Sequence, residues 1–407
     1  MSDQSGWLAP HYSRFAVSRR LLLSGHSHQA WPDVALAGQV EAFEDAAEAV
    51  DAKWERAFGK ADRVRTGFRE LLADPAAELA LGGSTHELLL RFLSALDLAA
   101  RPRLLTTDGE FHTIRRQLAR LAEERVEVVR LPAEPAATLA DRLAGALDDR
   151  TAAVLVSAVL YETARIVPGL DRLARDCQRR GVELLIDAYH ALGVVPFPAT
   201  GGSAAWVMGG GYKYLQLGEG NCFLRVPAHA GRLRPVITGW FAEFDRLAGQ
   251  SGPGLVGYPR GGNRFAGATY DPTSHYRAAR VFDFFAEHGL TAGFLRRVSL
   301  HQVGLLAARF DAIDAPEPVI TRIRTGAPAD FGGFLALRTP YAARLEAELA
   351  ARGVRADSRG GYLRLGPAPY LSDAQLVAAV DALAAAVAGL GAGPRAGLSA
   401  PASRASS

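Results

Sequence analysis

Short apolar segments alternate with amphipathic segments through the middle of the chain. The apolar segments are hydrophobic at consecutive positions, which is typical of strands buried on both faces. They predict strands over residues 103–106, 126–131, 152–157, 183–187 and 205–208. The segments between them have apolar residues at helical spacing and predict helices over 113–123, 137–147 and 170–180. This alternation indicates an α/β fold with a mostly parallel sheet covered by helices on both sides.

The pattern changes near residue 275, where long Ala-, Leu- and Arg-rich helices begin. Helices are predicted over 278–288, 292–312 and 372–387, with short strands near 332–338 and 362–365, which indicates a smaller α+β domain. We therefore expect four parts in chain order. They are an N-terminal arm and helix (1–50), a large domain (51–270), a small C-terminal domain (271–388) and a Gly/Ala/Ser/Pro-rich tail predicted to be disordered (389–407).

Composition narrows the class of protein. Of 407 residues, 49% are hydrophobic and 22% are charged, as in an ordinary globular protein. The net charge of +3 gives no argument for nucleic-acid binding. The first twenty residues have no apolar core of signal-peptide length, and the sequence has no apolar run of membrane-spanning length. Two cysteines, Cys177 and Cys222, are too few for a disulfide framework. A cytoplasmic protein without membrane contact is expected.

Two candidate catalytic residues follow predicted strands, at the sheet edge where α/β proteins bind ligands. Asp187 ends the strand 183–187, and a carboxylate there can hold a protonated ring nitrogen. Lys213 follows a run of three glycines and is flanked by Tyr212 and Tyr214. Burial there would lower the pKa of the lysine and make it an amine nucleophile. Each residue alone has a plainer interpretation, a turn cap for Asp187 and a chance position for Lys213.

Two further motifs lie at strand ends. Glycines and hydroxyls in Gly82-Gly83-Ser84-Thr85 precede an amphipathic helix and predict an anion site at its N-terminus, although an ordinary helix cap has the same residues. Phe111 follows the strand 103–106, where it could stack on a planar ring or belong to the core. His26 and His28 have no carboxylate or cysteine neighbour in sequence, so no metal site is expected.

Five segments in chain order resemble motifs of the kynureninases, in the class V aminotransferase branch of the fold-type I pyridoxal-phosphate enzymes. Lysine and aspartate have the spacing of that branch, and the resemblance extends from about residue 20 to residue 387. The segments are Val159-Leu-Tyr161-Glu-Thr163-Ala-Arg165, Asp187-Ala-Tyr-His190-Ala-Leu-Gly193, Tyr212-Lys213-Tyr214-Leu215 with Gly218-Glu-Gly220, Thr238-Gly239-Trp240-Phe241, and Leu363-Arg364-Leu-Gly-Pro367-Ala-Pro369-Tyr370.

The resemblance implies a bound pyridoxal 5'-phosphate and a role for each matching residue. Lys213 is the Schiff-base lysine and proton shuttle, and Asp187 pairs with the pyridine nitrogen. The remaining residues assigned to the cofactor surround its ring and phosphate: His190, Phe111, Ser84, Thr85, Ser157, Tyr212, Trp240, and Thr269 acting on the phosphate of a neighbouring subunit in a homodimer. His190 and Tyr212 are also counted with the catalytic group.

On the substrate side the resemblance assigns Arg364 to the α-carboxylate and Trp240 to an aromatic side chain, with His26 and Ser27 lining the site. Several positions depart from the family motifs. His112 follows Phe111 where the family has F-P-S-D, His26 lies in the segment that matches G-N-S-L-G, and Tyr189 replaces a small residue. These departures concern the substrate more than the cofactor.

The implied activity is hydrolysis of the Cβ–Cγ bond of L-kynurenine, or of a close β-aroyl-alanine, to anthranilate and L-alanine. Another class V reaction, transamination or C–S lysis, is the alternative. A cysteine desulfurase needs a nucleophilic cysteine on a loop over the site, and neither cysteine is placed there. A non-catalytic binding protein of the same fold is a third reading, which retention of Lys213 and Asp187 together disfavours.

Overall fold

The computed structural model describes residues 6–196, 204–246 and 256–391, without the side chains of 244–246 and 391. The α-helices are α1 (Val34–Ala49), α2 (Trp54–Leu71), α3 (Thr85–Ser94), α4 (His112–Ala122), α5 (Leu139–Gly145), α6 (Leu170–Arg179), α7 (Thr273–Glu287), α8 (Ala292–Asp311), α9 (Ala342–Ala351) and α10 (Asp373–Gly391). The strands are β1 (Leu21–Leu22), β2 (Glu78–Gly82), β3 (Arg103–Thr107), β4 (Glu127–Leu131), β5 (Thr151–Ser157), β6 (Glu183–Asp187), β7 (Trp206–Gly210), β8 (Cys222–Val226), β9 (Thr321–Arg322), β10 (Leu335–Arg338), β11 (Val354–Arg355), β12 (Asp357–Arg359) and β13 (Tyr362–Leu365).

The central sheet has seven strands in the order β2-β8-β7-β6-β5-β3-β4. All neighbouring pairs are parallel except those of β8, which is antiparallel to both β2 and β7. The mostly parallel α/β sheet predicted from the sequence is therefore confirmed. Its central strands β5 and β7 are buried at every position, because apolar clusters cover both faces of the sheet.

A second, antiparallel sheet of four strands has the order β12-β13-β10-β9 and packs against α8 and α9, which in turn contact α10. The N-terminal segment joins this part of the molecule, because β1 pairs in parallel with β11. The last helix continues to Gly391, so residues 389–391 of the expected tail are helical, and residues 392–407 lie outside the described part of the chain.

Helix α10 contains an 18-residue stretch that is long and apolar enough to cross a membrane by length and composition alone. Its Leu376, Val380 and Leu383 are buried in the same apolar cluster as the central sheet. It packs against α8 and α9, so its apolar face is used in the protein core.

The candidate active-site residues lie close together at the carboxyl ends of the parallel strands. Ser157 at the end of β5 lies opposite Asp187 at the end of β6, and Met208 of β7 lies opposite Asp187 on the other side. Gly209 and Gly210 are the last residues of β7, and only Gly211 and Tyr212 separate that strand from Lys213. The candidate active site therefore lies at the sheet edge that the sequence predicts.

Candidate active site

Lys213 is a buried side chain enclosed by aromatic rings. Only 5% of its surface is exposed, and Nζ lies 5.1 Å from the ring centre of Phe111 and 4.8 Å from that of Tyr189. Burial lowers the pKa of the lysine to about 7, although nearby Asp187 raises it. Because half of the amine is then neutral near pH 7, Lys213 has the character of an amine nucleophile.

The partner of Lys213 is His190, whose Nε2 lies 2.7 Å from Nζ. Burial lowers the pKa of His190 well below its usual range, and the charges of Lys213 and Arg364 act in the same direction. A neutral imidazole accepts one hydrogen bond and donates another. His190 therefore orients the amine and does not neutralise it as a carboxylate would.

Asp187 is buried at the end of β6, and its Oδ1 accepts a hydrogen bond from the backbone N–H of Tyr189 at 2.9 Å. Burial raises the pKa of Asp187, while this hydrogen bond and Lys213 lower it. Burial of a carboxylate is unfavourable unless hydrogen bonds or a positive charge offset it, so Asp187 is suited to bind a cationic group of a ligand. That is the chemistry expected of a partner for a protonated ring nitrogen.

A second carboxyl group, Glu110, lies behind Asp187. It accepts hydrogen bonds from the hydroxyls of Thr107 and Ser157, each at 2.6 Å, and burial raises its pKa to about 7. The hydroxyl hydrogen of Ser157 is thus used inside the protein, and a contact of Ser157 with the cofactor stays a prediction. The sequence pattern does not reveal Glu110, because its partner Ser157 lies at the end of another strand.

Tyr189 is the departure from the family motif that changes the site most. Its ring faces Lys213 and lies 4.9 Å from the ring of Tyr212. Its hydroxyl lies 4.0 Å from the thiol of Cys222, where a Cβ on Gly210 would come within 2.5 Å of the hydroxyl oxygen. Gly210 therefore leaves room for this tyrosine, and the structure adds Tyr189 to Phe111 as a second aromatic wall beside the lysine.

The glycine-rich motif forms the N-terminus of α3, as predicted. Ser84 is the N-cap residue, and its hydroxyl accepts from the backbone N–H of Glu87. The carboxylate of Glu87 accepts from the N–H of Gly83 at 2.9 Å and is paired with Arg91. The cap interpretation is confirmed for Ser84, and phosphate binding by Ser84 and Thr85 stays a prediction that the helix dipole favours.

Trp240 and Thr269 are joined to each other, and both are exposed. The indole Nε1 of Trp240 donates to the hydroxyl of Thr269 at 3.2 Å. Thr269 lines a cavity of about 960 Å³ that is also lined by Gly83 and Glu87 at the start of α3. Lys213 does not line this cavity, so Trp240 as a wall for the substrate side chain stays a prediction.

Arg364 is buried rather than on the surface, with 4% of its area exposed. It lies on β13, opposite Asp357 of β12. Its Nε donates to Oδ1 of Asp357 at 3.0 Å, Nη2 donates to the same oxygen, and Nη1 donates to the carbonyl oxygen of Tyr161. Tyr161 in turn packs edge-on against Phe111 at 5.5 Å, which connects Arg364 to the surroundings of Lys213.

The two histidines of the N-terminal segment point in different directions. His26 is fully buried, 3.8 Å from Asp357 and 4.6 Å from the ring of Phe334. His28 is exposed and stacks on Tyr212 at 4.7 Å. Ser27 lies between them, with its hydroxyl 3.2 Å from Nδ1 of His28. His26 thus belongs to the group around Arg364, and His28 to the outer side of the Lys213 loop.

These residues fit pyridoxal phosphate on the chemistry of the groups present. A buried amine with a lowered pKa suits the aldehyde, a buried carboxylate suits the pyridine nitrogen, and two aromatic rings suit its faces. The helix N-terminus with Ser84 and Thr85 suits the phosphate.

Comparison of the sequence with known proteins finds relatives along most of the chain. It is 29% identical to a kynureninase of Deinococcus radiodurans over 334 residues, covering 80% of this chain and 77% of the relative. It is 26% identical to a kynureninase of Burkholderia pseudomallei over 388 residues, covering 90% and 89%. An uncharacterized aminotransferase of Bacillus subtilis, YcbU, is 23% identical, with coverage of 82% and 85%. No family model matches the chain.

Comparison of the structure finds solved proteins of the same fold. A mutant of the protein C-DES with glycine covalently linked to its PLP cofactor superposes with a TM-score of 0.78 at 17% identity, covering 92% of this chain and 98% of that chain. An apo cysteine desulfurase from Thermococcus onnurineus has a TM-score of 0.75 at 15% identity, with coverage of 91% and 96%. The chain therefore has the fold of the type I pyridoxal-phosphate enzymes and is related in sequence to the kynureninases of the class V aminotransferase branch.

Proposed function

We propose that this chain is a pyridoxal-phosphate hydrolase that cleaves the Cβ–Cγ bond of L-kynurenine, or of a close β-aroyl-alanine, and releases anthranilate and L-alanine. The observation that carries the proposal is the buried Lys213, held between Phe111 and Tyr189 with Asp187 close by, in a chain similar to kynureninases over most of its length. When bound, the cofactor supplies an electron sink for charge that develops at the substrate Cα.

The part of this chain in the reaction follows from its protonation states. Lys213 holds the cofactor through Nζ, and Asp187 keeps the ring nitrogen protonated. As a free amine, Lys213, whose pKa burial lowers to about 7, would take the proton from the substrate Cα and return it later. His190, 2.7 Å from Nζ, holds the amine in place during this exchange.

Arg364 binds the substrate α-carboxylate in this proposal. It is buried, close enough to act on the charge states of both Lys213 and His190, and rich in hydrogen-bond donors. The ring of Phe111 lies beside Lys213 and packs against that of Tyr161, whose backbone carbonyl accepts from Arg364, and these rings favour a substrate with an aromatic side chain.

We also propose that the enzyme is a homodimer in the cytoplasm. Trp240 and Thr269 form an exposed pair beside the cavity at the start of α3, where a second copy can bring the same pair to the cofactor phosphate. Analytical ultracentrifugation of the cofactor-loaded protein tests this. A monomer at micromolar concentration contradicts it.

The activity is tested by incubating the cofactor-loaded protein with L-kynurenine and measuring anthranilate by its fluorescence and L-alanine by chromatography. Equal amounts of both products are expected. Formation of pyruvate from L-alanine, or of a keto acid from L-kynurenine without anthranilate, would instead indicate an aminotransferase.

A C–S lyase or another class V reaction is the second candidate, since C-DES is a cystine C–S lyase with the same fold. A cysteine desulfurase is less well supported, because Cys177 and Cys222 are both buried and burial raises the pKa of each thiol to about 12. Release of sulfide or persulfide from L-cystine, with no cleavage of L-kynurenine, would favour the lyase.

A further inference from the structure

The carboxylate of Asp357 lies beside the arginine proposed to bind the substrate. Both side chains are buried, with 8% of Asp357 and 4% of Arg364 exposed. They face each other across the antiparallel pair β12–β13, so the backbone places the two charges next to one another. Removing one member of such a pair would leave a buried charge without a partner.

Asp357 accepts hydrogen bonds from only part of the guanidinium group of Arg364, so other N–H groups of that side chain stay available to a ligand. Arginine has five N–H donors. Asp357 takes one from Nε and one from Nη2, and the carbonyl of Tyr161 takes one from Nη1. Among the described residues, one N–H on each terminal nitrogen is left without a hydrogen-bond acceptor. A carboxylate that accepts from both terminal nitrogens forms two parallel hydrogen bonds with the guanidinium.

The other neighbours of Asp357 keep this arrangement fixed. His26 is fully buried, and its Nε2 lies 3.8 Å from Oδ1 of Asp357. Neither ring nitrogen of His26 has a hydrogen-bond partner within the described ranges of the chain. Although burial raises the pKa of Asp357, the positively charged Arg364, which donates two hydrogen bonds to it, holds that pKa well below its usual range. Burial lowers the pKa of His26 to about 4, so this histidine is neutral near pH 7.

We propose that Asp357 is a positioning residue that fixes Arg364 by its Nε–Nη2 edge and keeps the edge between the two terminal nitrogens for the α-carboxylate of an amino-acid substrate. The inference rests on the proposed binding of that carboxylate by Arg364. It predicts selection for α-amino acids over amines that have no carboxylate. The contrary arrangement, in which Asp357 repels the substrate carboxylate, predicts the opposite effect of removing its charge.

The test uses Asp357→Asn in the full-length, cofactor-loaded protein. The dissociation constants of L-alanine and of ethylamine are measured from the change in the visible absorbance of the cofactor. We expect L-alanine to bind about 10- to 100-fold more weakly, as for loss of hydrogen bonds to a charged group, with ethylamine unchanged. For a substrate that is turned over, KM should rise by a similar factor, whereas kcat should change by less than about threefold.

Two further variants separate positioning from folding. Asp357→Glu keeps the charge and moves it by one methylene group, so a smaller loss of L-alanine affinity is expected at nearly the wild-type melting temperature. Arg359→Gln is the matched control, because Arg359 is half exposed and 3.9 Å from the other oxygen of Asp357. It should change L-alanine affinity by less than about twofold.

The outcomes distinguish this inference from the proposed function. If Arg364→Gln weakens the binding of L-alanine while Asp357→Asn and Asp357→Glu leave it unchanged or make it tighter, the positioning role of Asp357 is overturned. The proposed carboxylate site at Arg364 is then retained. If Arg364→Gln has no effect on L-alanine, both are overturned. If L-kynurenine is not cleaved but L-alanine responds as expected, the positioning role holds for a different reaction.

Discussion

Lys213 and Arg364 are both basic side chains with about 5% of their surface exposed, yet their partners differ. Arg364 has the carboxylate of Asp357 bonded to it, whereas the hydrogen-bond partner of Lys213 is the neutral ring of His190. Burial therefore lowers the pKa of the lysine to about 7, whereas the guanidinium of Arg364 lies beside the compensating charge of Asp357. The chain makes one cation reactive and keeps the other fixed.

The parts of the fold that position Lys213 and Arg364 also differ. Lys213 follows β7 in the fully buried centre of the sheet, where parallel strand ends place Asp187 and Ser157 side by side. Arg364 lies on a four-residue strand in the smaller sheet, and the His26 segment of the N-terminal arm packs against it. The cofactor end, around Lys213, is thus built from one sheet, whereas the carboxylate end, around Arg364, is built from the β12–β13 pair and the distant segment that carries His26.

The largest expected effect comes from removing the reactive cation. Lys213→Ala should abolish the visible absorbance band of bound cofactor and lower kcat by at least about 1000-fold, because the covalent attachment and the proton carrier are lost together. Absorbance spectroscopy and a kynurenine assay measure the two effects.

Lys60→Ala is the control for that variant, because Lys60 is paired with Glu41 on the surface of α1 and α2. It should keep both the band and the activity. Borohydride reduction and peptide mapping should find the pyridoxyl group on Lys213. A label on Lys53 or Lys60 contradicts the assignment.

The fixed cation should give a smaller effect of a different kind. Arg364→Ala removes charge-assisted hydrogen bonds worth about 2–3 kcal/mol, which corresponds to a loss of about 30- to 150-fold in kcat/KM. The cofactor band should remain, because Lys213 and Asp187 are unchanged. Steady-state kinetics with L-kynurenine measure the loss, and an unchanged kcat/KM rules out the carboxylate contact.

The aromatic walls of the cofactor end should matter less than either charge. Tyr189→Ala removes one of the aromatic rings that face Nζ of Lys213, and it should weaken cofactor binding by about 2- to 10-fold, as for loss of one aromatic contact. Equilibrium dialysis of pyridoxal phosphate measures this. Tyr189→Phe keeps the ring and should bind nearly as wild type. Tighter binding by Tyr189→Ala would mean that the tyrosine occupies space the cofactor needs.

The two ends also differ in how far the sequence predicts them. The strand that ends at Asp187 has the predicted bounds 183–187, because an unbroken apolar run closed by an acid is a strong local signal. The glycine run and Lys213 are equally local. Asp357 and Glu110 were missed, because their roles depend on Arg364 and on Ser157, which other strands bring to them. The orientation of His26 depends on the arm that carries it, and short sequence patterns do not record such contacts.

The smallest effect should be a shift in pH dependence that reports the charge beside Lys213. Asp187 raises the pKa of the lysine against the larger effect of burial, which lowers it to about 7. The rate of cofactor attachment to the apoprotein should therefore rise with pH through about 7, as the neutral amine forms. Asp187→Asn removes the negative charge, so the midpoint should move to lower pH.

The lowered pKa of Lys213 also makes the stability of the apoprotein depend on pH. Because the pKa of Lys213 is lower in the folded protein than in the unfolded chain, the unfolded chain binds more protons between pH 7 and about 10.5, and the apoprotein should lose stability as pH falls across that window. Stopped-flow absorbance measures the pH midpoint of the rate of cofactor attachment. Glu219→Gln is the control that should not move this midpoint, because Glu219 is an exposed carboxylate near His28. A midpoint that rises in Asp187→Asn would contradict the electrostatic effect of Asp187 on Lys213.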